Sequence, residues 1–146
     1  MKIRTIAVSL IIMLILCSCT VKPAAISYGN DACAYCKMTI VDKQHAAQMV
    51  TKKGKPYKYD AIECMLHDIE DKDSSDFKFL LVTNYQTPAQ MIDAVTASYL
   101  VSETIQSPMG ANLSAFVSDE KALPFVKKAN DKLYNWQSLQ KYFYGN

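Results

Sequence analysis

The chain has 146 residues, with 16 Lys and Arg against 14 Asp and Glu, a length that fits one modest core or two small units sharing an interface. Setting aside Lys2 and Arg4 of the leader described next leaves fourteen basic and fourteen acidic side chains. With no basic stripe and no interleaving of aromatic and basic residues, nucleic-acid binding has no support. Nor is there a serine nucleophile elbow, a phosphate loop or a carboxylate pair at acid–base spacing, so the chain reads as a non-enzyme.

Lys2 and Arg4 precede an apolar run from Ile6 to Leu16, the pattern of a signal peptide over residues 1–18 and too short for a free-standing membrane span of ~20 residues. Leu16-Cys17-Ser18-Cys19 resembles a bacterial lipobox, Leu-x-small-Cys, which makes Cys19 the expected lipidated first residue of the processed chain. The expected location is the cell envelope, lipid-anchored on the periplasmic or extracytoplasmic side. Residues 19–30, small and turn-prone after Cys19, read as a tether, with the fold opening near Asp31.

The run from His45 to Thr51 is β-compatible, Lys52-Lys53-Gly54-Lys55 is a turn, and Tyr57 and Tyr59 alternate with lysines, which predicts a hairpin turning near Gly54. Asp60-Ala61-Ile62-Glu63 has the spacing of a capping box, and Ile62, Met65, Leu66 and Ile69 follow at helical period, predicting a helix from about Ala61 to Asp71. Phe77–Val82 reads as a buried strand, completing a ββαβ unit over residues 31–86. Thr87-Pro88 predicts a short connector helix near 88–95, since proline is tolerated at the first helical position.

A second, loosely repeated ββαβ-like unit is expected over residues 87–146, counting the connector. Its strands are Ala97–Val101 and Asn112–Val117, separated by a turn at Ser107–Gly110. A helix then opens near Asp119, with its regular part starting at Leu123 or Pro124 because an interior proline breaks the hydrogen-bond ladder. Asn135 is placed to cap a last helix with Trp136, Leu139 and Phe143 on one face. The fold class is therefore α+β, two small related ββαβ units packed together.

Chemistry concentrates in the sulfur atoms. Once Cys17 leaves and Cys19 is acylated, Cys33, Cys36 and Cys64 remain, an odd number for an oxidising compartment. Cys33-x-x-Cys36 lacks the following histidine of a haem attachment site and the buried strand that precedes a thioredoxin-like pair, and with no second C-x-x-C a structural zinc would need two more ligands from Cys64, His45 and His67. A closed Cys33–Cys36 disulfide remains the main structural alternative. In an extended segment Cys36 and Met38 would share one face, and a thiolate beside a thioether is a soft donor pair that selects Cu(I). Met109, in the Pro108-Met109-Gly110 turn, is a third candidate donor, with core gap-filling as its bland alternative. Cys64 reads as an interface residue or an additional donor. His67 reads as a surface or interface histidine and His45 as a strand residue.

Together the lipobox Cys19, the segment Cys33-Ala34-Tyr35-Cys36-Lys37-Met38, the passage "YKYDAIECML" and "SPMGANLSAF" around Met109 resemble the NosL family of lipoproteins, over nearly the whole processed chain. The resemblance implies a copper chaperone of two ββαβ units with Cu(I) held between them. Carried over by motif, the ligands are Cys36, Met38 and Met109, with Cys33 and Cys64 as additional candidates. It further implies delivery of copper to apo nitrous oxide reductase through a membrane complex with an ABC-type transporter. An envelope thiol–disulfide oxidoreductase using Cys33 and Cys36, or a structural lipoprotein, are the competing expectations.

Overall fold

The structure is a computed structural model that describes residues 20–145; the leader and Cys19 lie outside the described residues. Among the described residues, two small antiparallel sheets, three helices and two 3-10 turns make an α+β fold. No helix among the described residues is long and apolar enough to cross a membrane.

The first sheet is built around β1 (Ala47–Thr51), whose side chains from Ala47 to Val50 are all buried. It turns at Gly54, which takes the left-handed φ of 86° that a side chain would resist, into β2 (Pro56–Tyr59). β2 is the sheet edge, so the N–H that Pro56 lacks is not needed there. Helix α1 (Ile62–Glu70) follows, then β3 (Phe77–Thr83), which returns antiparallel to β1 on its other side. The hairpin, α1 and β3 appear where apolar period and turn chemistry place them.

Two local expectations fail here. The N-cap of α1 is Ala61, without a side-chain cap: Asp60 instead accepts a hydrogen bond from Val41 N–H, and Glu63 points inward. The connector helix near 88–95 is absent. Ala89 adopts φ 65°, and β4 (Met91–Asp93) pairs with the free edge of β3, setting Ile92 opposite Val82. An open strand edge outweighed a capping signal, because ladder bonds satisfy backbone groups that a short helix would leave unpaired.

The second sheet has β5 (Ser98–Val101) at its centre, β6 (Leu113–Phe116) on one side and β7 (Lys132–Tyr134) on the other. Its order, β6-β5-β7, repeats the β2-β1-β3 order of the first sheet, and each returning strand comes after a helix. The intervening helix α2 covers only Asp119–Ala122 and passes into a 3-10 turn at Leu123–Phe125. The expected order is thus reversed: the regular turn precedes Pro124, and no longer helix starts at it. Helix α3 (Trp136–Tyr144) closes the chain with the Asn135/Ser138 capping box at its start and Leu139 buried.

Packing makes one body of the two sheets. α1 is buried along Ile62–Leu66 between β1, β2, β6 and α3, which is why an almost wholly apolar face-to-face helix is tolerated. β5 alternates, sending Tyr99 into this main core and Leu100 into a smaller cluster with Ile105, Phe116 and Ala122. Asn84 bridges to Ala115, Tyr85 N–H donates to Ala115 O at 2.8 Å, and Tyr144 hydroxyl donates to Leu66 O at 2.6 Å.

The segment expected as a tether is docked. Ala24 exchanges two hydrogen bonds with the buried Gln48 side chain, and Ile26 and Tyr28 pack against the core.

Candidate metal centre

Asp31–Ile40 folds as a narrow loop added to the free edge of β2. Ala32 bridges to Thr39, Cys33 N–H donates to Met38 O at 2.8 Å, and Ala34 N–H donates to Lys58 O at 2.7 Å. An ion pair between Lys58 Nζ and Asp31 Oδ2, 2.6 Å apart, pins the loop's base. Within the loop Lys37 N–H reaches back to Cys33 O, and Lys37 adopts φ 67°.

That left-handed residue sits between Cys36 and Met38, so the segment is not extended there and the shared-face argument for this pair does not hold. Met38 is 59% exposed and Met109 39% exposed, both at the surface rather than in the core.

The sulfurs that do converge are Cys33, Cys36 and Cys64, whose Sγ atoms all lie within 4.8 Å of one another. Cys33 and Cys64 are buried and Cys36 is half-buried, so the cluster has one accessible corner. Cys64 comes from α1 and the other two from the loop, so the helix turns Cys64 toward the C-x-x-C. His67 is not in this group. Its ring stacks on Tyr35 at 5.5 Å and meets Phe143 edge-on at 6.2 Å.

The environment of Cys33 favours a thiolate. A hydrogen bond from the Cys64 side chain lowers its pKa against the opposing effect of burial, and the Asp60, Cys36 and Tyr35 backbone N–H groups add to it. The same hydrogen bond, together with burial, pushes Cys64 up. A buried thiol donating to a buried thiolate, with a third sulfur at the surface, is a donor set for a soft ion.

Glu63, the residue before Cys64, has the spacing of a cap partner but makes a different contact. Its buried carboxylate accepts a hydrogen bond from Ser107 Oγ, which in turn accepts from Asn112 N–H at 2.8 Å. Burial raises the Glu63 pKa, the Ser107 hydroxyl opposes that, and the Ala111 backbone amide opposes it further. The Ser107–Gly110 turn bearing Met109 is therefore fastened to the first turn of α1, beside Cys64. The signal available in sequence was a single charge inside the apolar stretch Ile62-Glu63-Cys64-Met65-Leu66.

His45 is also more than a strand residue. It lies just before β1, buried, with Nδ1 2.9 Å from Asp42 Oδ2 and Nε2 3.2 Å from Ser114 Oγ on β6. Ser114 is fully buried, so this Asp–His–Ser row offers no nucleophile to a substrate and serves as a strut between the sheets.

Comparison with known proteins follows the same lines. The sequence model of the NosL family matches residues 23–143. The crystal structure of the copper chaperone NosL from Shewanella denitrificans superposes with a TM-score of 0.69 at 19% identity, over 82% of this chain and 96% of that one. No curated protein matches the sequence.

Proposed function

Since the chain belongs to the NosL family, we propose that it is an extracytoplasmic Cu(I) chaperone that supplies copper to apo nitrous oxide reductase during maturation of its copper centres, working with a membrane ABC-type transporter complex. The observation that carries this reading is the convergence of three cysteine sulfurs with one accessible corner. Thiolate and thioether donors favour Cu(I) over harder divalent ions.

Copper is the cargo in this scheme. Cys36, at the exposed corner, is the entry ligand, and Met38 and Met109 are the surface thioethers that complete a low-coordinate site. Cys33 and Cys64 lie behind them as additional donors. Cys33 and Cys64 are joined by a hydrogen bond between their sulfurs, so binding both as thiolates would release the proton they share. Exposed thioethers suit transfer, because an acceptor's ligand can enter before the donor's leave. Cys19, after the lipobox-like Leu16-Cys17-Ser18, supports attachment to the envelope membrane by a lipid.

Anaerobic titration of the reduced protein with Cu(I) is expected to show about one tightly bound ion per chain. The Cys36→Ser/Met109→Ala double variant should bind far more weakly. Unchanged binding by that variant would sink the ligand assignment, and no binding by the reduced protein would sink the reading as a whole.

The lowered Cys33 pKa favours a second reading, thiol–disulfide exchange through Cys33 and Cys36. Against it, Cys33 is 1% exposed and an incoming disulfide has access only to Cys36. Copper-free reduced protein that fails to exchange with a small disulfide substrate rejects this alternative.

A further inference from the structure

The start of the described chain and the β1–β2 turn meet at the pole farthest along the hairpin from the sulfur cluster. The cluster sits at the Tyr59–Asp60 end of β2, where the Asp60 N–H reaches Cys33, while the turn precedes Pro56, about 13 Å away at ~3.3 Å per strand residue. At that far pole Val21 Cγ2 lies 3.8 Å from where a Cβ on Gly54 would sit. From Val21 the arm runs back along the sheet through the Ala24–Gln48 pair to Gly29, whose N–H donates to Ile40 O. There is no slack between position 21 and the folded body.

Lys52, Lys53 and Lys55 are exposed in this turn, and Lys22 is exposed beside Val21. Thr51, Lys52, Lys53, Lys55 and Asp76 line a recess of about 360 Å³. Asp73 and Asp76 are the nearby acids, two carboxylates against four lysines, and the Asp73 side chain is engaged with the Ser75 N–H. Below the lysines lie two rings: Lys55 Nζ is 4.8 Å from the centre of Tyr57, and Phe77 meets Tyr57 edge-on.

Surface lysines usually do no more than solvate a protein. Here three of them share a turn that touches the arm leading to the apolar run Ile6–Leu16 and to Cys19, with only Thr20 between Cys19 and Val21. An acyl chain on Cys19 would hold the chain at the membrane within about 7 Å of Val21, and the apolar run ending at Leu16 within about 18 Å, at ~3.5 Å per extended residue. Basic residues held close to a membrane attachment point are drawn to anionic headgroups, an attraction that fades within about a Debye length.

We propose that Val21, Lys22 and the Lys52–Lys55 turn form a membrane-contact pole that binds anionic phospholipid headgroups, holding the sulfur cluster on the side of the molecule away from the bilayer. The proposal rests on the export reading of the leader and is independent of copper binding.

To test it, the full chain is made in a bacterial host, and the membrane-bound protein is reconstituted in nanodiscs of phosphatidylcholine with or without phosphatidylglycerol. Its lysines are then acylated with a membrane-impermeant reagent and read one by one by mass spectrometry. Lys22, Lys52, Lys53 and Lys55 are expected to label roughly threefold or more slowly in the anionic discs, with Lys121 and Lys127 labelling alike in both. In the Lys52→Glu/Lys53→Glu/Lys55→Glu variant, Lys22 should lose this dependence on lipid. Equal rates at the pole in the two discs overturn the proposal. So does equal protection of Lys121 and Lys127, which would indicate unspecific attraction. Protein recovered unanchored is mixed with the same discs and labelled; the same difference is expected, and its absence is equally decisive.

Discussion

The two sheets share the order of three strands, the first adding β4, and treat their sulfur differently. The first presents Cys33 and Cys36 from a loop pinned to β2 by backbone bonds and the Lys58–Asp31 pair, with backbone amides aimed at a buried sulfur. The second presents Met109 from a turn at the surface, fastened to α1 through Ser107 and Glu63. A repeated scaffold thus carries a mostly buried thiol cluster, open at Cys36 and flanked by the exposed Met38, in one half, and a single exposed thioether, Met109, in the other. In the proposed carrier the buried thiols would hold the ion and the exposed donors would let it go.

The sharpest way to break the contrast is on the buried side. Cys64→Ala should lower Cu(I) affinity by about 100-fold or more in an anaerobic competition with a chromophoric chelator, more than losing an outer-sphere partner alone would cost. A Cys64→Ala protein that retains full affinity would move the site wholly to the surface donors.

Glu63 tests the fastening between the halves. Glu63→Ala leaves Ser107 without its acceptor at a buried position and should cost about 1–3 kcal/mol in urea unfolding, with a smaller loss of copper affinity. Glu63→Gln should recover most of that stability, because burial already favours the uncharged carboxyl and an amide oxygen can still accept from Ser107. If Gln and Ala behave alike, the fastening role is wrong.

Met109→Ala reads the surface side. With the side chain 39% exposed, the melting temperature should hardly change, while copper dissociation speeds up about tenfold. A stability loss comparable to that of Glu63→Ala would mean that Met109 fills core space instead.

The smallest effect is acid sensitivity. The Asp42 carboxyl stays below its ordinary 3.8 because its hydrogen bond with His45 and the Gln44 and His45 backbone amides outweigh burial, the largest single influence, which pulls the other way. A group whose folded pKa is depressed stabilises the protein fully above its unfolded value and loses that contribution as pH falls through the folded value. Stability should therefore decline from about pH 4 downward, and Asp42→Asn should shrink the difference in urea midpoint between pH 6 and pH 3. An undiminished difference would assign the acid sensitivity to other carboxylates.

Much of this fold can be read from residues whose own neighbourhood decides their structure. The Gly54 hairpin, the apolar stripe of α1 and the Asn135 cap of α3 are local statements, and each appears in place. What escaped reading depends on distant partners. β4 exists because β3 offers an edge, and residues 20–30 are docked because Gln48, buried in β1, reaches Ala24. Glu63 looked like a cap because the sequence shows Asp60 three residues earlier and does not show Ser107. For the site, the C-x-x-C is plain in the sequence and Cys64 is an additional donor candidate, but that the helix brings Cys64 to the pair depends on tertiary packing. The Cys36–Met38 pairing assumed an extended backbone that Lys37 breaks.

The Asp42–His45–Ser114 row carries a consequence for how a carried ion can leave. It is a hydrogen-bonded tie rod between the turn before β1 and the middle of β6, reinforced where Tyr85 N–H and Asn84 meet Ala115. Swinging the methionine turn away from the cysteine helix would tear several buried polar contacts at once, each costly to leave unmade in a core that excludes water. In the proposed carrier the halves would therefore not open like a clamshell to discharge. Departure of the ion would be associative, the recipient bringing its own donor to the Cys36 corner and drawing the ion out through that gap.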